Sequence, residues 1–452
     1  MKRSQLRIAE LGSNGYGLTG AVLAVLICGI SVCFAEGPRI VPSPEPGWPQ
    51  WRGIFRDGRS AEKGLLGEWP DEGPSLVWKA EGLGYGYSAP IITGGRIYVG
   101  GDVGNELHIF ALDTNGKRLW ETANGRAWKE PYPGARASCT FSEGRLYHLN
   151  AHGRMACFDA ADGRELWAVD VLEQFQGRNI TWALSENLLV DEDRVFVTPG
   201  GQRALMAALD KRTGKTVWAS EALKLGPSEN VAMQRLAHPA GEADSASYGS
   251  PILIDWGGER LLVNSSMRHL FGVNAATGRL VWTRPFPTRY LVIPATPLLV
   301  GEAVFVTAPD TDAGGLYRLK RTETGWEVQR IWRTELDTCH GGWALVDGLI
   351  FGAWYRADRG WAAVDAATGE VKWKWKDIAK GSVIWADDRL YCLGEDGNVV
   401  LLEATGAGPK VKGRFRLVPQ KVTDAWTHPV ILDGQLYLRY HDTLYCYDIR
   451  RR

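Results

Sequence analysis

The strongest constraint on the fold is a short phrase that occurs five times in this chain: an apolar residue, Asp or Asn, a glycine turn and then Trp. In the first copy, Ala111-Leu112-Asp113 leads through Gly116 to Trp120. Successive tryptophans of the series, with Trp332 as a degenerate copy, are 41 to 64 residues apart. Repeats of roughly 40–50 residues are typical of propeller blades with four strands. The later copies contain Asp159 and Trp167, Asp210 and Trp218, Asn274 and Trp282, and Asp365 and Trp373.

Each repeat also contains an earlier pair of short β-branched or aromatic runs joined by a Gly or Asp turn, which predicts a β-hairpin. Eight such pairs follow one another, beginning near Ile91 and ending near Leu438. The last repeat stops at Asp448, before any Trp strand, whereas Leu76-Val77-Trp78 near the start has the form of that missing strand. We therefore predict an all-β, eight-bladed β-propeller of four-stranded blades, closed by an N-terminal strand so that a sheet edge is removed.

The repeated residues have structural roles in this prediction. Glycine supplies a positive φ in the turn, Asp bonds the backbone of its own turn, and Trp buries a large flat surface between neighbouring sheets. We assign this docking role to Trp78, Asp113, Trp120, Asp159, Trp167, Asp210, Trp218, Trp282, Asp365 and Trp373.

Composition and the N-terminus bear on location and partners. Lys plus Arg and Asp plus Glu number 52 each, which gives no basic excess for nucleic acid. Lys2 and Arg3, an apolar stretch over 18–34 and Cys33-Phe34-Ala35 together predict a signal peptide over 1–35. An uncleaved anchor is the alternative, disfavoured because the stretch is short for a membrane span; lipidation of Cys28 or Cys33 is disfavoured by the bulky residues before each. We expect a protein of the periplasm or cell envelope without a transmembrane span after cleavage.

The mature chain divides into a segment over 36–74, which contains Trp48 and Trp51 and is expected to pack on the ring, and the propeller over 75–452. Five cysteines follow the predicted cleavage site, so at least one thiol is unpaired. Cys139 and Cys157 belong to one blade, and their pairing stays open. An insertion over 221–247, with a short helix after Ser228, is either functional or only tolerated.

Side chains at the start of each inner strand are expected to point into the central funnel. The larger ones are Tyr87, Arg136, Trp182, Tyr248, His340, Lys380, Trp426 and His428. Aromatic rings beside cationic or protonatable groups suit a flat anionic ligand; the alternative is that these side chains fill the channel and bond one another. No carboxylate adjoins His340 or His428 in sequence, so we predict no metal site.

At this point the phrase from Ala208 to Trp218 resembles the tryptophan-docking motif of the pyrroloquinoline quinone (PQQ) repeat family, and the resemblance covers about 75–450. It implies eight-bladed propellers of two classes: quinoprotein dehydrogenases that oxidise alcohols or sugars with PQQ and Ca²⁺, and BamB-like scaffolds of outer-membrane protein assembly. The start, Trp48 to Gly53, looks like that of many exported bacterial propellers.

The dehydrogenase class carries a pair of adjacent cysteines under the quinone, and this chain has none. Its Ca²⁺ ligands and catalytic Asp also have no matching positions here. The resemblance therefore favours an exported, non-catalytic binding or scaffold propeller, BamB-like and monomeric, that needs no cofactor and whose partner is an envelope protein or a small ligand in the funnel. A PQQ- and Ca²⁺-dependent oxidoreductase is the alternative, and binding of another small molecule or polysaccharide, with or without hydrolysis, is the third.

The cleavage site yields a test of export. Protein isolated from the cell envelope should have the intact mass of a chain that begins at or near Glu36. A mass that includes residues 1–35, or one that carries an added diacylglycerol, would contradict the prediction.

Overall fold

The computed structural model describes residues 37–226, 241–356 and 359–451. Within these ranges the chain forms 33 strands and one short helix. The strands make eight antiparallel sheets, seven of four strands and one extended to five. The predicted all-β, eight-bladed propeller is confirmed. The predicted signal peptide and the helix predicted after Ser228 lie outside the described residues.

The strands are numbered in chain order. Two precede the first blade, namely β1 (Arg39–Ile40) and β2 (Ser75–Ala80). Blade one is β3 (Ile91–Thr93), β4 (Arg96–Val103), β5 (Glu106–Asp113) and β6 (Arg118–Arg126). Blade two is β7 (Thr140–Ser142), β8 (Arg145–Leu149), β9 (Arg154–Asp159) and β10 (Glu165–Asp170), followed by α1 (Val171–Phe175). Blade three is β11 (Leu189–Asp191), β12 (Arg194–Val197), β13 (Ala207–Asp210) and β14 (Thr216–Ala219).

The second half of the ring repeats this plan. Blade four is β15 (Ile252–Trp256), β16 (Glu259–Ser265), β17 (His269–Asn274) and β18 (Leu280–Pro285). Blade five is β19 (Leu298–Val300), β20 (Ala303–Val306), β21 (Gly315–Thr322) and β22 (Gly325–Arg333). Blade six is β23 (Trp343–Val346), β24 (Leu349–Ala353), β25 (Trp361–Asp365) and β26 (Val371–Trp375). Blade seven is β27 (Gly381–Ala386), β28 (Arg389–Gly394), β29 (Asn398–Glu403) and β30 (Lys410–Arg416). Blade eight is β31 (Val430–Leu432), β32 (Gln435–Tyr440) and β33 (Thr443–Asp448), completed by β2.

The first strand of each blade lies on the inside of the ring. Neighbouring inner strands contact each other, as β3 does with β7, β7 with β11, and β27 with both β23 and β31. The ring closes between β2 and β33, which pair antiparallel with Trp78 opposite Cys446 and Ala80 opposite Leu444. Closure by the N-terminal strand is therefore confirmed.

A β-bulge lies one residue before the docking position in the outer strands. In β2, Leu76 pairs with Tyr447 and Trp78 with the next residue back, Cys446, so Val77 is the extra residue, and it is 49% exposed. The same irregularity recurs in β6, β10, β14, β18, β22 and β26. A bulge bends its strand and redirects a side chain, and here it turns the following Trp toward the next blade.

The redirected tryptophan lies on the glycine turn of the next blade. A Cβ atom added to Gly116, which has a φ of +81°, would lie 2.6 Å from the Trp78 ring, and Trp78 Nε1 donates to the Thr114 carbonyl at 3.0 Å. Only glycine allows this contact. The same pairing joins Trp167 to Gly214 and the Lys211 carbonyl, Trp218 to Gly278 and the Ala275 carbonyl, and Trp332 to Gly369 and the Ala366 carbonyl.

Blade seven departs from this pattern in a way that the sequence did not reveal. Its outer strand has Gly413 at the position that Trp occupies elsewhere. Trp69, from the segment before β2, fills the space: a Cβ on Gly413 would lie 2.4 Å from the Trp69 Cβ. The backbone N–H of Trp69 donates to the Lys412 carbonyl at 2.8 Å. The N-terminal segment thus supplies a large aromatic ring that blade seven lacks.

The segment before β2 also crosses the channel where the inner strands end. Ile40 pairs with Ile254 in blade four, and Trp48 exchanges two backbone hydrogen bonds with Ile92 in blade one. In blade seven, the backbone N–H of Trp385 donates to the Gly58 carbonyl. The segment therefore closes this end of the channel.

The five described cysteines, Cys139, Cys157, Cys339, Cys392 and Cys446, are all buried and unpaired, so Cys139 and Cys157 do not form a disulfide. Within the described residues, no helix has both the length and the apolar character needed to cross a membrane.

The docking contact at the closing strand yields a stability prediction. Trp78→Ala should lower the free energy of unfolding by about 2–4 kcal/mol, because it removes the ring that joins blade eight to blade one. This is close to the loss measured when a buried aromatic side chain is cut back to Ala. Urea denaturation measures the change. Leu76→Ala, at a side chain 50% exposed on the same strand, is the matched control and should cost less than about 1 kcal/mol. Equal effects of the two variants would refute the docking role.

Candidate functional site

A cavity of about 450 Å³ opens at the end of the channel where the inner strands begin. Three tryptophans line it, Trp51, Trp182 and Trp426. Five tyrosines complete the aromatic wall, namely Tyr87, Tyr132, Tyr248, Tyr290 and Tyr355. A cavity of this size and lining is typical of a small-molecule site.

The structure brings together six of the eight side chains predicted to face the funnel. The six that line the cavity are Tyr87, Arg136, Trp182, Tyr248, His340 and Trp426. Lys380 lies in a small adjoining recess with Glu395, and His428 is buried beneath the floor. That these residues hold a ligand stays a prediction.

The floor of the cavity comes from the N-terminal segment. The rings of Trp51 and His428 lie 4.3 Å apart, and Trp51 Nε1 donates to Thr296 Oγ1 at 3.1 Å. Under this layer, Arg52 Nη1 donates to His428 Nδ1 at 3.2 Å, while His428 Nε2 donates to the His340 carbonyl at 2.8 Å. Burial and the Arg52 charge lower the pKa of His428 to about 3, so this imidazole is neutral.

Four polar or aromatic side chains form one cluster at the wall. The His340 and Trp426 rings are stacked 4.2 Å apart, and Trp426 Nε1 donates to Glu395 Oε1 at 2.9 Å. Lys380 pairs with the other Glu395 oxygen. Burial alone would raise the pKa of Glu395, but the neighbouring His340 ring, 3.7 Å away, and the charge of Lys380 lower it to about 2. Glu395 is therefore a carboxylate, bound on both oxygens.

Arg136 is committed to backbone carbonyls. Its guanidinium donates to the carbonyls of Trp182 at 2.9 Å, Gly134 at 2.6 Å and Tyr132 at 2.7 Å. Burial lowers the pKa of Arg136 to about 10, which leaves it charged at neutral pH. Arg136 thus holds the backbone at Tyr132 and Trp182 in place.

A second charged pair lies at the rim. Arg356 Nη1 is 2.8 Å from Asp310 Oδ2, and the guanidinium lies 5.0 Å above the Tyr290 ring. The ion pair and the ring contact hold Tyr290 and Arg356 together at the cavity mouth.

Several lining residues were missed from sequence. Tyr132 and Tyr290 lie in connections between blades, whereas Asp310 and Tyr355 lie in loops between the second and third strands. Both kinds of loop emerge at the same end of a propeller as the starts of the inner strands, so inspecting them would have found these residues. Trp51 carries no such signal, because it lies outside the repeats.

Glu186 is buried between two residues that line the cavity, Ser185 and Asn187. Its carboxyl accepts hydrogen bonds from the Thr198 N–H at 2.7 Å and the Thr198 hydroxyl at 2.8 Å. Burial raises the pKa of Glu186 to about 7, against the opposing effect of these bonds and of the Arg56 charge. At mildly acidic pH the buried Glu186 carboxyl is therefore protonated and uncharged.

The donor groups of the cavity do not fit a calcium ion. Ca²⁺ takes six to eight oxygen ligands, and in the described part of the chain no three His, Cys, Asp or Glu side chains converge. Asp310 is paired with Arg356. The Asn187 amide oxygen accepts from the Ser138 N–H at 2.6 Å, and its nitrogen donates to Ser250 at 3.0 Å.

Comparison with known proteins assigns the family. A family profile described as outer membrane protein assembly factor BamB matches residues 105–374. The chain belongs to this family. BamB of Yersinia pestis is 22% identical over 333 residues, which cover 71% of this chain and 75% of that protein. The lanthanide-dependent methanol dehydrogenase of Methylacidiphilum fumariolicum is 27% identical over 220 residues, but these are 46% of this chain and 35% of the dehydrogenase.

Solved structures show the same fold. BamB from Moraxella catarrhalis superposes with a TM-score of 0.58 at 16% identity, over 83% of this chain and 99% of that one. Quinohemoprotein alcohol dehydrogenase from Comamonas testosteroni superposes with a TM-score of 0.61 at 14% identity, over 90% of this chain and 81% of that one. The resemblance to the PQQ-repeat propellers is thereby confirmed, in both of its classes.

Two buried titratable groups near the cavity, His428 and Glu186, predict opposite pH effects. Because the pKa of His428 is lowered to about 3, its contribution to stability is full above pH ~6.5 and is lost as the pH falls, by about 2 kcal/mol at pH ~5. Because the pKa of Glu186 is raised to about 7, its contribution is lost as the pH rises from ~4.5 toward 7.

Urea denaturation from pH ~5 to ~7.5 measures both effects. The stability difference between wild type and His428→Gln should shrink as the pH falls, whereas that between wild type and Glu186→Gln should shrink as the pH rises. Differences that do not change with pH would contradict the neutral states assigned to these two groups.

Proposed function

We propose that this chain is an exported, non-catalytic binding protein of the cell envelope that acts as a BamB-like scaffold in the assembly of outer-membrane proteins. Membership of the BamB family supports the scaffold role. The predicted signal peptide supports export to the periplasm. The aromatic cavity supports a binding role, with the partner either an envelope protein or a small ligand in the funnel.

The observation that carries the non-catalytic part is that the charged groups at the cavity wall are engaged with the protein itself. Glu395 is bound by Lys380 and Trp426, Asp310 by Arg356, and Arg136 by three carbonyls. General acid–base catalysis needs a group that can exchange a proton with the substrate near the working pH. The Glu395 carboxylate, with its pKa lowered to about 2, is ill-suited to that task.

The second candidate is a PQQ-dependent oxidoreductase, which the dehydrogenase relatives favour. Trp51 and Trp426 offer aromatic surfaces for a quinone. The side chains described above do not supply a calcium-ligand set, and the sequence has no adjacent cysteines. These residues fit the cofactor poorly, so the binding function is preferred.

A gene deletion in the native organism tests the scaffold role. The abundance of β-barrel proteins in the outer membrane should fall and be restored by the wild-type gene. The matched control is a gene that lacks codons for residues 2–35, whose product should fail to restore it if the protein acts after export. Unchanged outer-membrane proteins in the deletion strain would overturn the scaffold role.

A quinone titration tests the non-catalytic part. Pure protein with PQQ and Ca²⁺ should give no dye-linked oxidation of alcohols or sugars. Tryptophan fluorescence should show a dissociation constant above about 1 μM, or less than about 8 kcal/mol of binding free energy. Submicromolar quenching with oxidation, abolished by Arg136→Ala or Lys380→Ala but not by Arg212→Ala on the exposed surface, would instead establish the oxidoreductase.

A further inference from the structure

We propose that the cavity binds the end of a neutral glycan chain. This inference rests on the proposed binding function and names its ligand class. It is drawn from the orientation of the aromatic rings, from the pairing of the charges and from the closed floor.

The aromatic faces are tilted relative to one another. The Trp426 ring makes angles of 37° with Tyr87 and 50° with Tyr132, and Trp182 makes an angle of 46° with Tyr248. A planar aromatic ligand stacks best between parallel faces. A pyranose ring is puckered and carries C–H groups on both faces, so it can pack against several rings of different tilt.

Two of the three described cations at the cavity and its adjoining recess are paired with carboxylates, and the third, Arg136, donates to three backbone carbonyls. Asp310 with Arg356, and Glu395 with Lys380, each place acceptors beside donors. A hydroxyl both donates and accepts hydrogen bonds, so adjacent sugar hydroxyls match such pairs. An anionic ligand that approached Arg356 or Lys380 would also approach the carboxylate paired with it, which offsets the attraction.

Cationic ligands are disfavoured by the same groups. Aromatic rings attract cations through their faces, but here the protein supplies the cations. Lys380 Nζ lies 4.3 Å from the Tyr355 ring centre, and Arg356 lies 5.0 Å from the Tyr290 ring centre. A ligand cation on this side would meet two positive charges already in place.

The closed floor selects a chain end. The N-terminal segment crosses the channel below Trp51, so a polymer cannot pass through the ring. The volume of about 450 Å³ lies within the range of roughly 300–1,000 Å³ for ligand sites and exceeds the needs of one sugar ring. A terminal stretch of glycan that enters from the open end fits both the closed floor and the volume of the cavity.

Calorimetric titration of the mature chain with trisaccharides tests the inference. The neutral probes are maltotriose, cellotriose, xylotriose, mannotriose and tri-N-acetylchitotriose, and the charged probes of equal length are trigalacturonate and chitosan trimer. At least one neutral probe should bind with a dissociation constant below about 1 mM, and both charged probes should bind at least tenfold more weakly. If all neutral probes fail to bind at about 10 mM, or if a charged probe binds as tightly, the inference is wrong.

Four variants locate the binding. Tyr132 is 50% exposed at the rim, so Tyr132→Ala should fold and should weaken binding of the neutral probe at least fivefold, while Tyr132→Phe should keep it. Trp426→Ala should weaken binding more strongly. Trp256→Ala is the matched control, because this ring, which contacts Trp326, lies at the end of inner strand β15 away from the cavity. Wild-type affinity in Tyr132→Ala, or equal losses in the control, would place the sugar elsewhere and overturn the inference.

The two proposals fail separately. Absence of glycan binding together with lost outer-membrane proteins in the deletion strain would refute only the glycan inference. Glycan binding together with unchanged outer-membrane proteins would refute only the scaffold role.

Discussion

The contact on which this structure depends is a tryptophan ring lying flat on a glycine turn of the neighbouring blade. It combines three requirements: a bulge that turns the ring outward, a glycine without a side chain, and a carbonyl that accepts the indole N–H. Each requirement is met locally, within one strand or one turn, yet the contact joins two blades. Repetition around the ring therefore converts short-range sequence signals into the global fold. Trp69 shows that the space must be filled even where blade seven supplies no tryptophan of its own.

Because the blades are joined at their outer edges, the centre of the ring is left to other residues. The inner strands begin at one end of the channel, where the connecting loops add Tyr132, Tyr290 and Tyr355, and they end at the other, where the N-terminal segment crosses. The cavity is thus assembled from side chains that play no part in blade docking. That separation lets the binding surface vary while the scaffold is kept, which is how one fold comes to host both BamB and quinone-dependent dehydrogenases.

The sequence predicted the blades, their number and the closing strand, because turn glycines and docking tryptophans act over a few residues. It also placed six of eight proposed funnel residues on one cavity, because the start of an inner strand has a fixed position in a blade. Lys380 and His428 do not line the cavity because of tertiary packing. Lys380 is paired with Glu395 in a recess, and Trp51 covers His428. Neither Trp51 nor Trp69 could be assigned a partner, since the segment over 36–74 follows no repeat and its contacts are set by the finished ring.

The pairing of β2 with β33 has a consequence for how the chain folds. Ala80 and Thr443, at the joined ends of these strands, are separated by about 360 residues, so the first blade-forming strand to be synthesised waits for the last. Throughout that interval Leu76, Val77 and Trp78 lie on an unpaired strand, the kind of surface that aggregates in a folding intermediate. Such a high contact order slows the search for the native pairing. We therefore expect the seam to form last, and a chaperone that covers the newly made N-terminal strand to raise the yield of folded protein.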